Sequence, residues 1–167
     1  MRRIGFIGFN ALSESIIMAI FRAMPEMQVF LYPFGCSRVQ KLATVYPCWT
    51  LDDCQSLSEE IEIIILSPSH CNLNSISQSL HLRSVHTVVS LIPDISVQQL
   101  CFFFRHPDCI RMSMITHSEK NKPIVALTEH NHHLEHFLWQ TGFLPVATSE
   151  NQFNFILRLA GEISVKL

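Results

Sequence analysis

A buried strand that breaks at a glycine and continues directly as a helix constrains this chain more than any other stretch. Residues 1–20 read MRRIGFIGFNALSESIIMAI. The apolar run Ile4-Gly5-Phe6-Ile7 stops at Gly8, and apolar residues return at helical spacing at Leu12, Ile16, Ile17 and Ile20. A strand without polar alternation belongs inside a parallel sheet, covered by helices on its faces.

A tight strand-to-helix turn exposes the first amides and the positive dipole end of the helix, which is how a dinucleotide pyrophosphate is held in doubly wound folds. The usual spacing is G-x-G-x-x-G/A; here it reads Gly8, Phe9, Asn10, Ala11, Leu12, Ser13. Gly8 suits the turn, and Ser13 is small enough for close helix–strand packing. Asn10 tolerates positive φ but puts a side chain where the second glycine leaves room for phosphate, and Phe9 adds bulk on the same rim. The same residues also suit a strand, turn and helix with no ligand.

Downstream, strand and helix patterns alternate. Met27 to Tyr32 reads as a strand, Ser37 as the cap of a helix through Val45, Cys48-Trp49 as a short strand, and Asp52 as the start of a brief polar helix. Ile61 to Leu66 is a nearly continuous β-branched run suited to a sheet centre. Asn72 to Leu80 reads as a helix, Val85 to Leu91 as a strand, and Ser96 to Phe104 as a helix. Beyond Pro107, Cys109 to Ile115 and Pro123 to Leu127 read as a hairpin-like pair. They are followed by a helix over Leu134 to Gln140, a strand over Phe143 to Ala147 and a helix starting at Phe153. The pattern predicts one α/β domain, a doubly wound Rossmann-type, mostly parallel sheet with extra C-terminal strands.

The end of the second strand is where such folds distinguish their dinucleotides. No acid occurs from Gln28 to Arg38, whereas Ser37 and Arg38 are both present. An acid would favour NAD, so this stretch favours NADP. A capping serine followed by a solvated arginine accounts for the same two residues.

Apolar residues make up 48% of the 167 and charged residues 16%, at a net charge of −2. That balance predicts apolar surface covered by a second copy or another protein chain, with the helix from Phe153 as the contact. No basic stripe points to nucleic acid. No run reaches the roughly 18 apolar residues of a membrane span, and Arg2-Arg3 before a short, glycine-broken run reads as a mature cytoplasmic terminus rather than a signal peptide. The six cysteines form no C-x-x-C pair and read as reduced structural thiols, Cys36 included. His132 and His136 would share a helix face, but without H-E-x-x-H order or a third ligand they read as a solvated surface, and no metal is expected. Asp52-Asp53 and Glu59-Glu60 read as helix ends.

Taken in order, IGFIG, the acid-poor second strand with Ser37-Arg38, IIILSP, VVSLIPDIS, RMSMITHSEKNKPIVALT and WQTGFLPV resemble the N-terminal dinucleotide-binding half of pyrroline-5-carboxylate reductases. The resemblance runs nearly end to end. It implies an NAD(P)-binding domain over residues 1–150, related to enzymes that reduce a cyclic imine to proline, with NADPH as donor. It further implies Gly8, Phe9, Asn10, Ala11 and Leu12 at the pyrophosphate, Ser37 and Arg38 at the 2′-phosphate, and Ser67, Pro68 and Thr116 near the nicotinamide. No catalytic side chain is assigned.

The chain departs from the family at ligand-facing positions. Asn10 replaces the second glycine, Ser67 the lysine before Pro68, Ile92-Pro93-Asp94 an Ala-Ala-Gly, and only Thr116 is kept of a Met-Pro-Asn-Thr-Pro loop. Residues 151–167 match the start of the family's C-terminal helix, while the helical substrate and dimerisation domain is absent from the sequence. Two functions follow: a reductase domain completed by a partner chain, or a non-catalytic relative serving as a structural, interaction or nucleotide-sensing module.

Overall fold

The computed structural model describes residues 3–68, 72–116 and 122–166; the side chains of residues 60, 116 and 161–166 lie outside that description. Strand β1 (Arg3–Ile7) is central because its side chains can be apolar on both faces. Ile4 and Phe6 pack with α1 (Ala11–Ala23), while Ile7 joins the core on the opposite side. β1 pairs in parallel with β2 (Gln28–Tyr32) on one side and with β4 (Ile63–Leu66) on the other. β3 (Trp49–Thr50), β5 (Thr87–Ser90) and β6 (Cys109–Thr116) extend the parallel array. β7 (Ile124–Leu127) then runs antiparallel to β6, and β8 (Leu144–Ala147) runs parallel to β7. The order is β3-β2-β1-β4-β5-β6-β7-β8, the doubly wound arrangement expected, with its added C-terminal strands.

One core cluster gathers α1, α2 (Ser37–Val45) and α6 (His132–Gln140) on one face of the sheet. The other gathers α3 (Gln55–Glu60), α4 (Leu73–Ser79) and α5 (Val97–Phe104). On that second face β1 leaves no room for a side chain at Gly5. A Cβ there would stand 2.6 Å from Ile61 Cδ1 and 2.9 Å from Leu57 Cδ2, two buried side chains. Gly5→Val is expected to lower stability by about 1–3 kcal/mol through overpacking. A urea titration reads this directly, and an unchanged midpoint would mean that α3 yields freely.

Several boundaries differ from the sequence reading. Ser37 is the first helical residue of α2 rather than its cap; Cys36 holds the cap position and makes no side-chain cap bond. α3 starts at Gln55, not Asp52, with the Asp53 carboxylate accepting from the Ser56 amide at 2.8 Å. β5 starts at Thr87 rather than Val85, because the His86 ring accepts from the Arg83 amide and turns the chain just before it. α7 (Glu150–Lys166) starts three residues before Phe153. Phe153 itself is buried at 2% exposure, and the exposed large apolar residues among the described side chains of this helix are Phe155 and Leu159.

The five described cysteines are free thiols, and burial pushes Cys48 up to about 12. Cys36 is buried. No described helix is long and apolar enough to cross a membrane.

Candidate functional site

The strand order reverses between β1 and β4, and parallel pairing brings the C-terminal ends of β2, β1, β4, β5 and β6 to one edge of the sheet. A switch point of this kind opens a crevice above the strand ends. Gly8 lies there at φ 77°, a left-handed conformation that glycine adopts without strain, and its amide donates to the Tyr32 carbonyl at 3.0 Å.

Asn10 behaves differently from the sequence expectation. Its backbone is extended (φ −156°, ψ 179°), so positive φ is not what asparagine supplies. It is the N-cap of α1: its Oδ1 accepts from the Ser13 amide at 2.8 Å while Ser13 Oγ accepts from the Asn10 amide at 2.9 Å. This reciprocal box satisfies one of the first-turn donors internally. The amides of Ala11 and Leu12 precede it in that turn and are the donors that the box leaves for an anion. Phe9 does not crowd the rim, since only 4% of it is exposed and it belongs to the core beside α1 and α2.

On α2, Ser37 and Arg38 occupy the first two helical positions, both exposed, with no acid in that turn. The first turn has no side-chain cap, and the guanidinium reaches the segment that follows β1. Arg38 Nη2 lies 3.1 Å from Glu14 Oε2 of α1, and its Cζ sits 5.2 Å from the centroid of Phe9. A groove of about 420 Å³ between the two helices is lined by Phe9, Glu14, Arg38, Lys41 and Tyr46 among others.

At the end of β4, Ser67 is fully buried and its amide donates to Ile7 at 2.8 Å. Its hydroxyl has no partner among the described residues, a costly state for a buried polar atom and one that a ligand group or water would relieve. Pro68 follows it at the surface. Thr116 ends β6, paired in register with Ile124; its side chain lies outside the described residues. The structure therefore brings Gly8, Ala11, Leu12, Ser37, Arg38, Ser67 and Pro68 to one edge, buries Phe9 beneath it, and turns Asn10 onto its own helix.

Glu14 is the residue that sequence reading missed, because its partner is 24 positions away and nothing local marks the pair. Among the described residues no group of three or more His, Cys, Asp or Glu side chains could hold a metal. His130 Nδ1 lies 3.1 Å from Glu135, at the exposed start of α6.

The sequence matches no family model and no curated protein sequence. Solved structures do share its fold. Pyrroline-5-carboxylate reductase from Streptococcus pyogenes superposes with a TM-score of 0.70 at 19% identity, over 90% of this chain and 60% of that one. Prephenate dehydrogenase from A. aeolicus, solved with hydroxyphenyl propionate and NAD+, gives 0.72 at 13% identity, over 91% and 61%. An imine reductase from Myxococcus stipitatus in complex with NADP+ gives 0.69 at 11% identity, over 98% and 63%. The chain thus spans about three fifths of the length of these proteins, and at such identities the likeness shows the Rossmann-type fold alone.

Proposed function

We propose that this chain is the dinucleotide-binding domain of a reductase, that it takes NADPH in preference to NADH, and that the acceptor is an imine carbon. The observation that carries the cofactor choice is the end of β2 with the first turn of α2. That stretch has no acid to receive ribose hydroxyls, and it offers Ser37, Arg38 and an uncapped helix start. In this reading the amides of Ala11 and Leu12 receive the pyrophosphate, with Gly8 making the turn. Ser37 and Arg38 receive the 2′-phosphate, and Ser67, Pro68 and Thr116 line the approach to the nicotinamide.

The Ser67 hydroxyl, without a partner among the described residues, fits a polar ligand atom at the strand ends, and the two amides left by the Asn10–Ser13 box fit a pyrophosphate. When bound, the nicotinamide would supply hydride. The residues named here would bind and orient it. The imine acceptor rests on the sequence resemblance and on the names of the pyrroline-5-carboxylate reductase and imine reductases that share the fold. A closed acceptor pocket would be completed by a partner chain, because hydride transfer needs both carbons held in register. Proline biosynthesis and a cytoplasmic setting belong to the same reading.

Calorimetric titration with NADPH and NADH tests it. NADPH is expected to bind more tightly, and Arg38→Ala to cost about tenfold or more for NADPH alone, the loss of one charge-assisted phosphate contact. Absence of binding by either dinucleotide would sink the reading and leave a Rossmann fold retained as a structural or interaction module.

A further inference from the structure

We infer that Glu14 is an internal competitor for the 2′-phosphate: its carboxylate holds the Arg38 guanidinium, and a phosphorylated dinucleotide must displace it to bind. This rests on the cofactor reading above and adds a specificity-setting residue outside the fingerprint.

Arg38 is engaged from two directions, and both partners belong to the segment that follows β1. Glu14 Oε2 lies 3.1 Å from Nη2, and the Phe9 ring lies 5.2 Å from Cζ. Phe9 is fixed in the core, so the cation has a rigid apolar floor, whereas Glu14 is a side chain one turn into α1 that can rotate away. The side chains of Arg38 and Glu14 are 60% and 36% exposed. An ion pair so exposed is weak and therefore exchangeable. A phosphate monoester carries nearly two negative charges and three acceptor oxygens against one charge on the carboxylate, so it can take over the guanidinium. Lys41 lines the same groove one turn further along α2 and adds to the attraction. A dinucleotide without the 2′-phosphate makes no such demand, so Glu14 acts on only one of the two cofactors.

The experiment is a titration of the full chain at low salt with NADPH, NADH, adenosine 2′,5′-bisphosphate and 5′-AMP. It compares the natural protein with Glu14→Gln, Arg38→Ala and the double variant, with thermal melts to confirm that each is folded. Glu14→Gln is expected to tighten the two 2′-phosphorylated ligands roughly three- to fivefold and to leave the other two within about twofold. The gain should shrink at high salt and disappear in the Arg38→Ala background. A gain that persists without Arg38 would show simple charge repulsion and overturn the competitor role. Arg38-dependent NADPH binding that is indifferent to Glu14→Gln would overturn the inference while the cofactor reading stands. Binding of no ligand by any variant would remove both.

Discussion

Arg111→Met is expected to lower the unfolding free energy by about 2–4 kcal/mol, although methionine restores most of the lost volume. Arg111 lies on β6 opposite Ser90 of β5 and is only 2% exposed. Its Nη1 donates to Glu150 Oε1 at 3.2 Å and Asn154 Oδ1 at 2.7 Å, its Nη2 donates to the Pro93 carbonyl at 2.6 Å, and its Cζ stands 4.8 Å from the Phe153 centroid. Glu150 Oε1 also accepts from the Val97 amide at 2.9 Å, in the first turn of α5. One buried cation therefore joins β6, the β5–α5 loop, the start of α5 and the first turns of α7. Removing it takes a donor from the Pro93 carbonyl and Asn154, both on exposed residues that water can reach, and leaves Glu150 without its counter-charge. Because Glu150 is about one third exposed, water recovers part of that loss, and the expected cost sits below that of a fully buried broken pair. Chemical denaturation gives the total. Hydrogen exchange across residues 150–160 should rise before the rest of the sheet opens, and a cost under about 0.5 kcal/mol would mean that α7 is held by Phe153 alone.

The second large effect is at the opposite end of the sheet. His86 is fully buried before β5; its Nδ1 accepts from the Arg83 amide at 2.7 Å, and its Nε2 donates to the Ser58 carbonyl at 2.7 Å. The pair of bonds fixes one neutral tautomer. Its own carbonyl receives the ring of His106 at 2.6 Å. Burial pushes the imidazole below its ordinary value, and the neighbouring Arg83 and His106 oppose protonation further. A base with a lowered folded value takes its proton in the unfolded chain first. Its contribution is then whole above pH of about 6.5 and declines as pH falls from there toward the folded value. His86→Phe should cost about 2–4 kcal/mol near neutrality by orphaning the Arg83 amide and the Ser58 carbonyl. It should also flatten the loss of Tm between pH 7.5 and 5.5. A variant as acid-sensitive as the natural protein would place that titration elsewhere.

The elements of this fold are legible in the chain where the signal is local. Ile63 to Leu66 is apolar with three β-branched isoleucines, and all four residues are buried at the sheet centre. The break at Gly8 is real because the turn there needs positive φ. Asn10 is instructive: read against a glycine fingerprint it is a defect, yet Asn-x-x-Ser is also a capping pattern, and that is what the backbone uses. Ser37 shows the converse, a residue of the right type one position too late to cap. What stays hidden is long-range pairing of charges. Glu14 meets Arg38 across 24 residues and Glu150 meets Arg111 across 39, distances over which helical or strand periodicity says nothing. The turns that frame the candidate site are thus legible in the sequence, whereas the ion pair between Glu14 and Arg38 is not.

The two rims of the sheet carry a consequence for how the molecule can meet others. An unpaired strand edge invites a neighbour to add a strand, with aggregation as the hazard. Here β3 offers only two residues, and β8, paired on one side alone, has Pro145, which has no amide hydrogen to give. Neither rim is a template for growth of the sheet, which leaves helix faces and the strand-end crevice, rather than an open ladder of hydrogen bonds, as the surfaces at which this fold can be met.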